Sequence, residues 1–202
     1  MLFNSFEFLC IFFPLVTGLY FTVPHHRRWM VLLAASCWFY MAFVPVYILI
    51  LGFTIGVDYF AGIWIERSEG RHRKLVLIAS IVANVGVLAF FKYFNFFLDS
   101  AYAVMNFIGI SGQPPLLRIV LPVGISFYTF QALSYTIDVY RGRMHVVHDP
   151  VQYYSFITFF PQLVAGPIER ASNLLGQFEL RRQFDWTQAA DGLRQMLWGF
   201  FK

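Results

Sequence analysis

Two stretches of this 202-residue chain place Pro, Gly and hydrogen-bonding side chains inside uncharged apolar runs. Residues 119–137 contain Pro122, Gly124, Ser126, Tyr128, Thr129, Gln131, Ser134 and Tyr135; residues 150–168 contain Pro161, Gln162, Gly166 and Pro167. Proline and glycine break regular helices. At membrane depth such breaks survive only where the freed backbone is buried in protein or lines a wet cavity. The polar groups best suited to face such a channel are Ser126, Gln131, Gln162 and Arg170, the last through a guanidinium fork that matches anionic groups. Pro122, Gly124, Pro161, Gly166 and Pro167 shape the breaks themselves.

Ionisable residues in or beside apolar runs are functional hypotheses by default. Four stand out: Asp58, Lys92, Asp138 and Glu169. Asp58 lies centrally in its run and either pairs with a group on a neighbouring helix or belongs to a site. Lys92 is near the end of its run, where it snorkels to the interface. Asp138 precedes Arg141 by three residues, a spacing that puts both on one helical face and predicts a structural ion pair. The five histidines (His25, His26, His72, His145 and His148) sit in basic loops outside the apolar runs. They read as solvated flanking residues rather than general bases held near a substrate. No zinc-ligand spacing, nucleophile elbow or phosphate loop is present, so neither a catalytic residue nor a metal ligand is assigned. Cys10 and Cys37 lie in apolar runs as small hydrophobes.

The elements that must hold these groups follow from composition. Apolar and aromatic residues make up 58% of the chain, against about 45–50% in soluble domains. Charged residues are only 13%, about half the usual ~25%, and the mean hydropathy is +0.60. A soluble domain of this size leaves ~30% of its unfolded-chain surface wet and has no interior for so much apolar area. Disordered and disulfide-rich classes fail on the same numbers. The net charge of +4 comes from Lys and Arg clustered between apolar runs, the pattern of membrane topology signals and not of a nucleic-acid surface.

The fold class read from this is an all-α polytopic membrane protein forming a single domain over 1–202. About five to six transmembrane or re-entrant helices are expected: 3–24, 29–44, 46–65, 75–97 and 119–140, with 150–168 dipping in and returning. Pro45 divides the second run from the third. Residues 98–118 read as a polar connection with the breaker Ser111-Gly112-Gln113-Pro114-Pro115. The first run lacks a basic leader and a cleavage site, so it is expected to persist as a span. Lys and Arg concentrate after the first, third and fifth spans, which predicts an external N-terminus. Residues 186–202 form an amphipathic helix: Trp186, Ala189, Ala190, Leu193, Met196, Leu197, Phe200 and Phe201 recur on one face, with Asp185 as N-cap.

Several of these runs are also recognisable as motifs. LPVGISFYTFQALSYTIDVYRG (121–142) followed by FFPQLVAGPIER (159–170) resembles the bacterial membrane-bound O-acyltransferases, nearest to alginate O-acetylases and D-alanyl-lipoteichoic-acid acyltransferases. The opening Met1-Leu2-Phe3-Asn4-Ser5, Ala34-Ala35-Ser36 with Phe39-Tyr40, and Phe91-Lys92-Tyr93-Phe94-Asn95-Phe96 are similar too, so the resemblance covers the whole chain. It implies the N-terminal half of a helical fold with a tunnel. It also implies transfer of an acyl group, acetyl by preference, from a thioester such as acetyl-CoA to hydroxyls of an extracytoplasmic polysaccharide such as alginate. No bound cofactor is implied. The implied partners are the lipid bilayer, the polysaccharide acceptor and extracytoplasmic acetylation proteins, with no nucleic acid; the implied location is the bacterial cytoplasmic (inner) membrane. The family's catalytic His belongs to a later segment, beyond residue 202. That leaves a second expectation, a non-catalytic truncated or scaffold membrane protein. A transporter fits less well, because 1–97 and 119–202 are not repeats of one another.

Overall fold

The computed structural model describes residues 3–109, 119–163, 166 and 169–202, and every regular element among them is helical. A π-helical stretch, Phe8–Phe12, runs into α1 (Phe13–Thr22), which carries Pro14 in its first turn, where no backbone donor is lost. Pro24 follows the end of α1, and α2 spans Arg28–Met41. Pro45 separates α2 from α3 (Tyr47–Arg67), as its ring requires. Then come α4 (Gly70–Phe107), α5 (Ile125–Tyr140), α6 (Pro150–Thr158), α7 (Phe160–Leu163), α8 (Ala171–Glu179) and α9 (Trp186–Phe201).

Two boundaries differ from the hydropathy pattern. Residues 98–107 are helical, not a polar connection, because this stretch has no Pro or Gly to stop the helix that runs into it. The helix α4 therefore runs for 38 residues, about 57 Å, well beyond the ~30 Å of a hydrocarbon core. It stops where Gly109 takes φ +82°. The expected breaker 111–115 and Pro167 lie outside the described residues. At the other boundary, α5 starts at Ile125 rather than 119. Gly124, its N-cap, has φ +74°, a left-handed conformation that glycine adopts without strain.

The break between α6 and α7 is supported from outside. Phe159 leaves the helical region (φ −50°, ψ 107°), and the Phe160 N–H donates to Ser36 Oγ on α2 at 3.2 Å. A neighbouring helix thus satisfies a donor that the break has freed.

The interior is largely apolar but encloses a polar cluster, and the exterior carries many large apolar side chains. Helices α3, α4 and α5 pack together, α2 packs on α6, and α6 on α8. Asp58, Ser80, Asn84, Thr136 and Gln131 are buried, whereas Leu49 (71%), Phe53 (58%), Trp64 (58%) and Val82 (63%) face outward. Polar side chains inside and large apolar ones outside are what hydrocarbon as solvent selects. Among the described residues two helices, α3 and α4, are long and apolar enough to cross a membrane, and the apolar Phe8–Thr22 segment is shorter. On the inside, Tyr135 of α5 lies 3.1 Å from where a Cβ on Gly62 of α3 would stand, so these two helices approach closely.

Candidate functional site

Asp58 lies midway along α3 and is fully buried. Ser80 and Asn84, one turn apart on α4, and Thr136 on α5 surround it. Ser80 Oγ donates to Asp58 Oδ1. Thr136 Oγ1 stands 3.0 Å from the same oxygen, and Asn84 Nδ2 donates to Oδ2 at 2.9 Å. Asn84 Nδ2 also donates to the Ser80 carbonyl at 3.0 Å, which fixes the amide plane. A carboxyl group at this depth is expensive unless its oxygens are satisfied. Here neutral donors from two other helices satisfy them, and among the described residues no cation forms an ion pair with Asp58. The arrangement joins α3, α4 and α5 in register. Of the two roles open to Asp58 in the sequence, pairing with neighbouring helices is the one observed.

The four channel candidates are placed separately. Gln131 is buried on α5, and its Nε2 donates to the Phe156 carbonyl on α6 at 3.2 Å. Among the described residues its Oε1 is buried without a partner, as is Gln162 Oε1 on α7. Ser126 is half-buried in the first turn of α5. Arg170 is exposed at the N-cap of α8, where its carbonyl accepts from Leu174 N at 3.2 Å. No hydrogen bond joins any two of these four. Two open cavities, a polar cleft at Arg181–Gln188 and an apolar groove between α1 and α2, are not lined by any of them.

The breaks are built as their residue types require. Pro122 is buried just before α5 and Pro161 is exposed in the first turn of α7. Gly166 N donates to the Gln162 carbonyl at 3.1 Å, and a Cβ on Gly166 would come within 2.7 Å of the Gln162 Cα. Only glycine fits that approach without a shift. The carbonyls of 119 and 120 are held too: Asn95 Nδ2 donates to Ile119 O at 2.7 Å and Tyr47 Oη to Val120 O at 2.5 Å.

The expected Asp138–Arg141 pair is not formed. Asp138 faces Arg143 instead, at 3.8 Å. The cause is the end of α5: Gly142 takes φ +68°, its N–H bonds the Val139 carbonyl, and Arg143 N bonds the Asp138 carbonyl at 2.9 Å. This paired closure turns the chain back over the last turn and brings Arg143, not Arg141, over the carboxylate. The histidines occupy helix ends and loops. His148 Nε2 lies 3.3 Å from Glu66 with both side chains substantially exposed, and among the described residues no group of His, Cys, Asp and Glu is arranged to hold a metal.

The motifs in 121–142 and 159–170 lie on the elements that hold several of these buried polar groups, and the chain's similarity to known proteins runs through both. The chain is 37% identical over 205 residues to a probable alginate O-acetylase of Pseudomonas aeruginosa. It is 35% identical over 207 residues to a protein of the same name from Azotobacter vinelandii. Along its whole length the chain is similar to these proteins named alginate O-acetylase. A peptidoglycan O-acetyltransferase of Helicobacter pylori is 30% identical to it over 236 residues. Each similarity takes in the whole chain but only 39%, 40% and 44% of these three relatives, so the chain spans about two fifths of the length of the acyltransferases it matches. No family model and no solved structure matches it.

Sequence reading missed Ser80, Asn84 and Thr136 as members of this chain's polar interior. The signal was available for the first two: small polar residues four apart in the apolar run 75–97 mark one helical face. Which helix that face meets is not a local property.

Proposed function

We propose that this chain forms part of the membrane-embedded body of an O-acyltransferase that transfers an acetyl group to hydroxyls of an extracytoplasmic polysaccharide, alginate or a polymer like it. The observation that carries this reading is the similarity to named alginate O-acetylases along the chain's entire length. The donor is an acyl thioester such as acetyl-CoA presented from the cytoplasm, and extracytoplasmic acetylation proteins are the working partners. The body is multi-pass in the bacterial cytoplasmic membrane with its N-terminus outside, as the Lys and Arg distribution supports.

In this reading the segments 121–142 and 159–170 wall the channel. Gln131 Oε1 and Gln162 Oε1, buried acceptors without partners, support a role for both side chains in holding water or a substrate hydroxyl. Ser126 supplies a further hydroxyl to that wall. Arg170, exposed and without an ion pair among the described residues, suits an anionic donor phosphate or polymer carboxylate. None of the five histidines lies on α5, α6 or α7, so the proton-transferring imidazole of the family is not assigned to them.

The test is acetylation of exported polymer in cells that make the natural full-length protein. Arg170→Ala is expected to lower acetyl content roughly tenfold or more, the loss of one charge-assisted contact, at unchanged membrane abundance. Full acetylation at equal abundance removes Arg170 from the channel. The Helicobacter pylori relative favours a second acceptor, peptidoglycan. Acetyl groups on muropeptides rather than on exopolysaccharide, in the same cells, select it.

A further inference from the structure

The amphipathic helix α9 leaves its apolar face uncovered. Trp186, Leu193, Leu197, Phe200 and Phe201 are exposed along one side, and among the described residues no helix packs over them. The opposite side carries Gln188, Asp191, Arg194 and Gln195, with Trp198 as its one aromatic. A helix of this kind has three places to go: water, another protein surface, or the interface plane of a bilayer.

Its root decides between them. Asp185 caps α9 by accepting from Thr187 N at 2.8 Å and Gln188 N at 3.4 Å. The preceding residues are pinned to the α1–α2 connection. Arg28 Nη1 donates to the Arg182 carbonyl at 2.7 Å while its guanidinium lies over the Tyr20 ring at 4.9 Å. Phe184 packs edge-on against Phe21 at 5.2 Å and against Trp186 at 4.9 Å. So α9 leaves from the level at which α1 ends and α2 begins, where the chain turns between two apolar helices. That level holds Arg27, Arg28, Arg181 and Arg182. Among the described residues no acid forms an ion pair with any of these four arginines, and Asp191 of α9 is paired with Arg194 at 2.9 Å. The surplus charge is positive, beside a belt of Phe and Trp.

We infer that α9 lies in the plane of the cytoplasmic membrane interface, its apolar face among acyl chains, and that Arg181 and Arg182 hold the phosphates of anionic phospholipids there. Uncompensated arginines beside exposed aromatics complement an anionic headgroup layer, not another apolar protein face. The cytoplasmic side rests on the orientation given under Proposed function; the interfacial placement rests on the residues named here.

Electron paramagnetic resonance of the naturally produced protein in nanodiscs of phosphatidylcholine with phosphatidylglycerol tests the placement. Spin labels are attached at Leu193→Cys, Leu197→Cys and Gln195→Cys after Cys10 and Cys37 are replaced by alanine. At 193 and 197, molecular oxygen is expected to reach the label better than a water-soluble nickel chelate, and at 195 the order reverses. Free access of the chelate to 193 and 197 puts α9 in water and overturns the inference. Low access of both reagents means a protein surface covers it, which also overturns it. In native mass spectrometry, Arg181→Gln and Arg182→Gln are each expected to reduce retained phosphatidylglycerol on the order of fivefold relative to phosphatidylcholine; undiminished retention removes the lipid-phosphate role. Labelling of Gln195→Cys by an impermeant maleimide is expected only in inverted vesicles. Labelling from outside the cell overturns the cytoplasmic assignment alone and leaves acetylation to be judged by polymer analysis.

Discussion

Thr136, Ser80 and Asn84 meet Asp58 with neutral groups, so each single removal is a modest perturbation, whereas loss of the carboxyl strands three donors at once. Thr136→Val is expected to lower unfolding stability in detergent by about 0.6–1.5 kcal/mol, the range for one interhelical hydrogen bond in a membrane bundle. Asp58→Leu is expected to cost more. Its cost is expected to fall by at least ~0.5 kcal/mol when introduced into Thr136→Val, because the two groups interact directly. Equal costs in the two backgrounds, read from reversible unfolding curves, show that Thr136 does not bond Asp58. Asp58 itself was legible in the sequence as an isolated acid in an apolar run. Its partners were not, because a polar residue's helical phase names the face it lies on and not the helix that meets it.

At the scale of elements, the irregular segments work because specific residues absorb specific geometries. Gly124 sets the start of α5 at φ +74°. Gly124→Val is expected to destabilise by about 1–2 kcal/mol, the left-handed penalty for a residue with a Cβ, while Gly124→Asn is expected to lose less because Asn tolerates that region. Matching thermal midpoints for the two variants contradict this account. Most helix boundaries were readable from Pro and Gly: α2, α3 and the α6–α7 break fall where Pro45 and Pro161 place them. The end of α4 was not, since polar residues such as Asp99, Ser100 and Asn106 resemble a loop by hydropathy and still propagate a helix that has already nucleated. Arg143 in place of Arg141 is a similar case. The spacing rule holds inside a helix and fails once Gly142 reverses the chain.

For the molecule as a whole, orientation is the open quantity with the clearest test. Alkaline phosphatase fused at Pro45, between α2 and α3, is expected to be active because it is exported. Fusions at Ser68, between α3 and α4, and at Gly142 are expected to be inactive, since Arg67, Arg71, Arg73 and Lys74 flank one turn and Arg141 and Arg143 the other. The reverse pattern inverts the topology and moves Arg170 and α9 to the opposite face. By itself the amino-acid sequence determined that hydrocarbon is the solvent, that the chain is helical, where Pro45 and Pro161 break its helices and which family it resembles. These properties depend on composition, local spacing and short motifs. Only the tertiary structure decided which helices close around Asp58, which arginine reaches Asp138 and that no described helix packs over α9. Those outcomes depend on the register between segments far apart in the chain, set by close packing such as that of Tyr135 against Gly62.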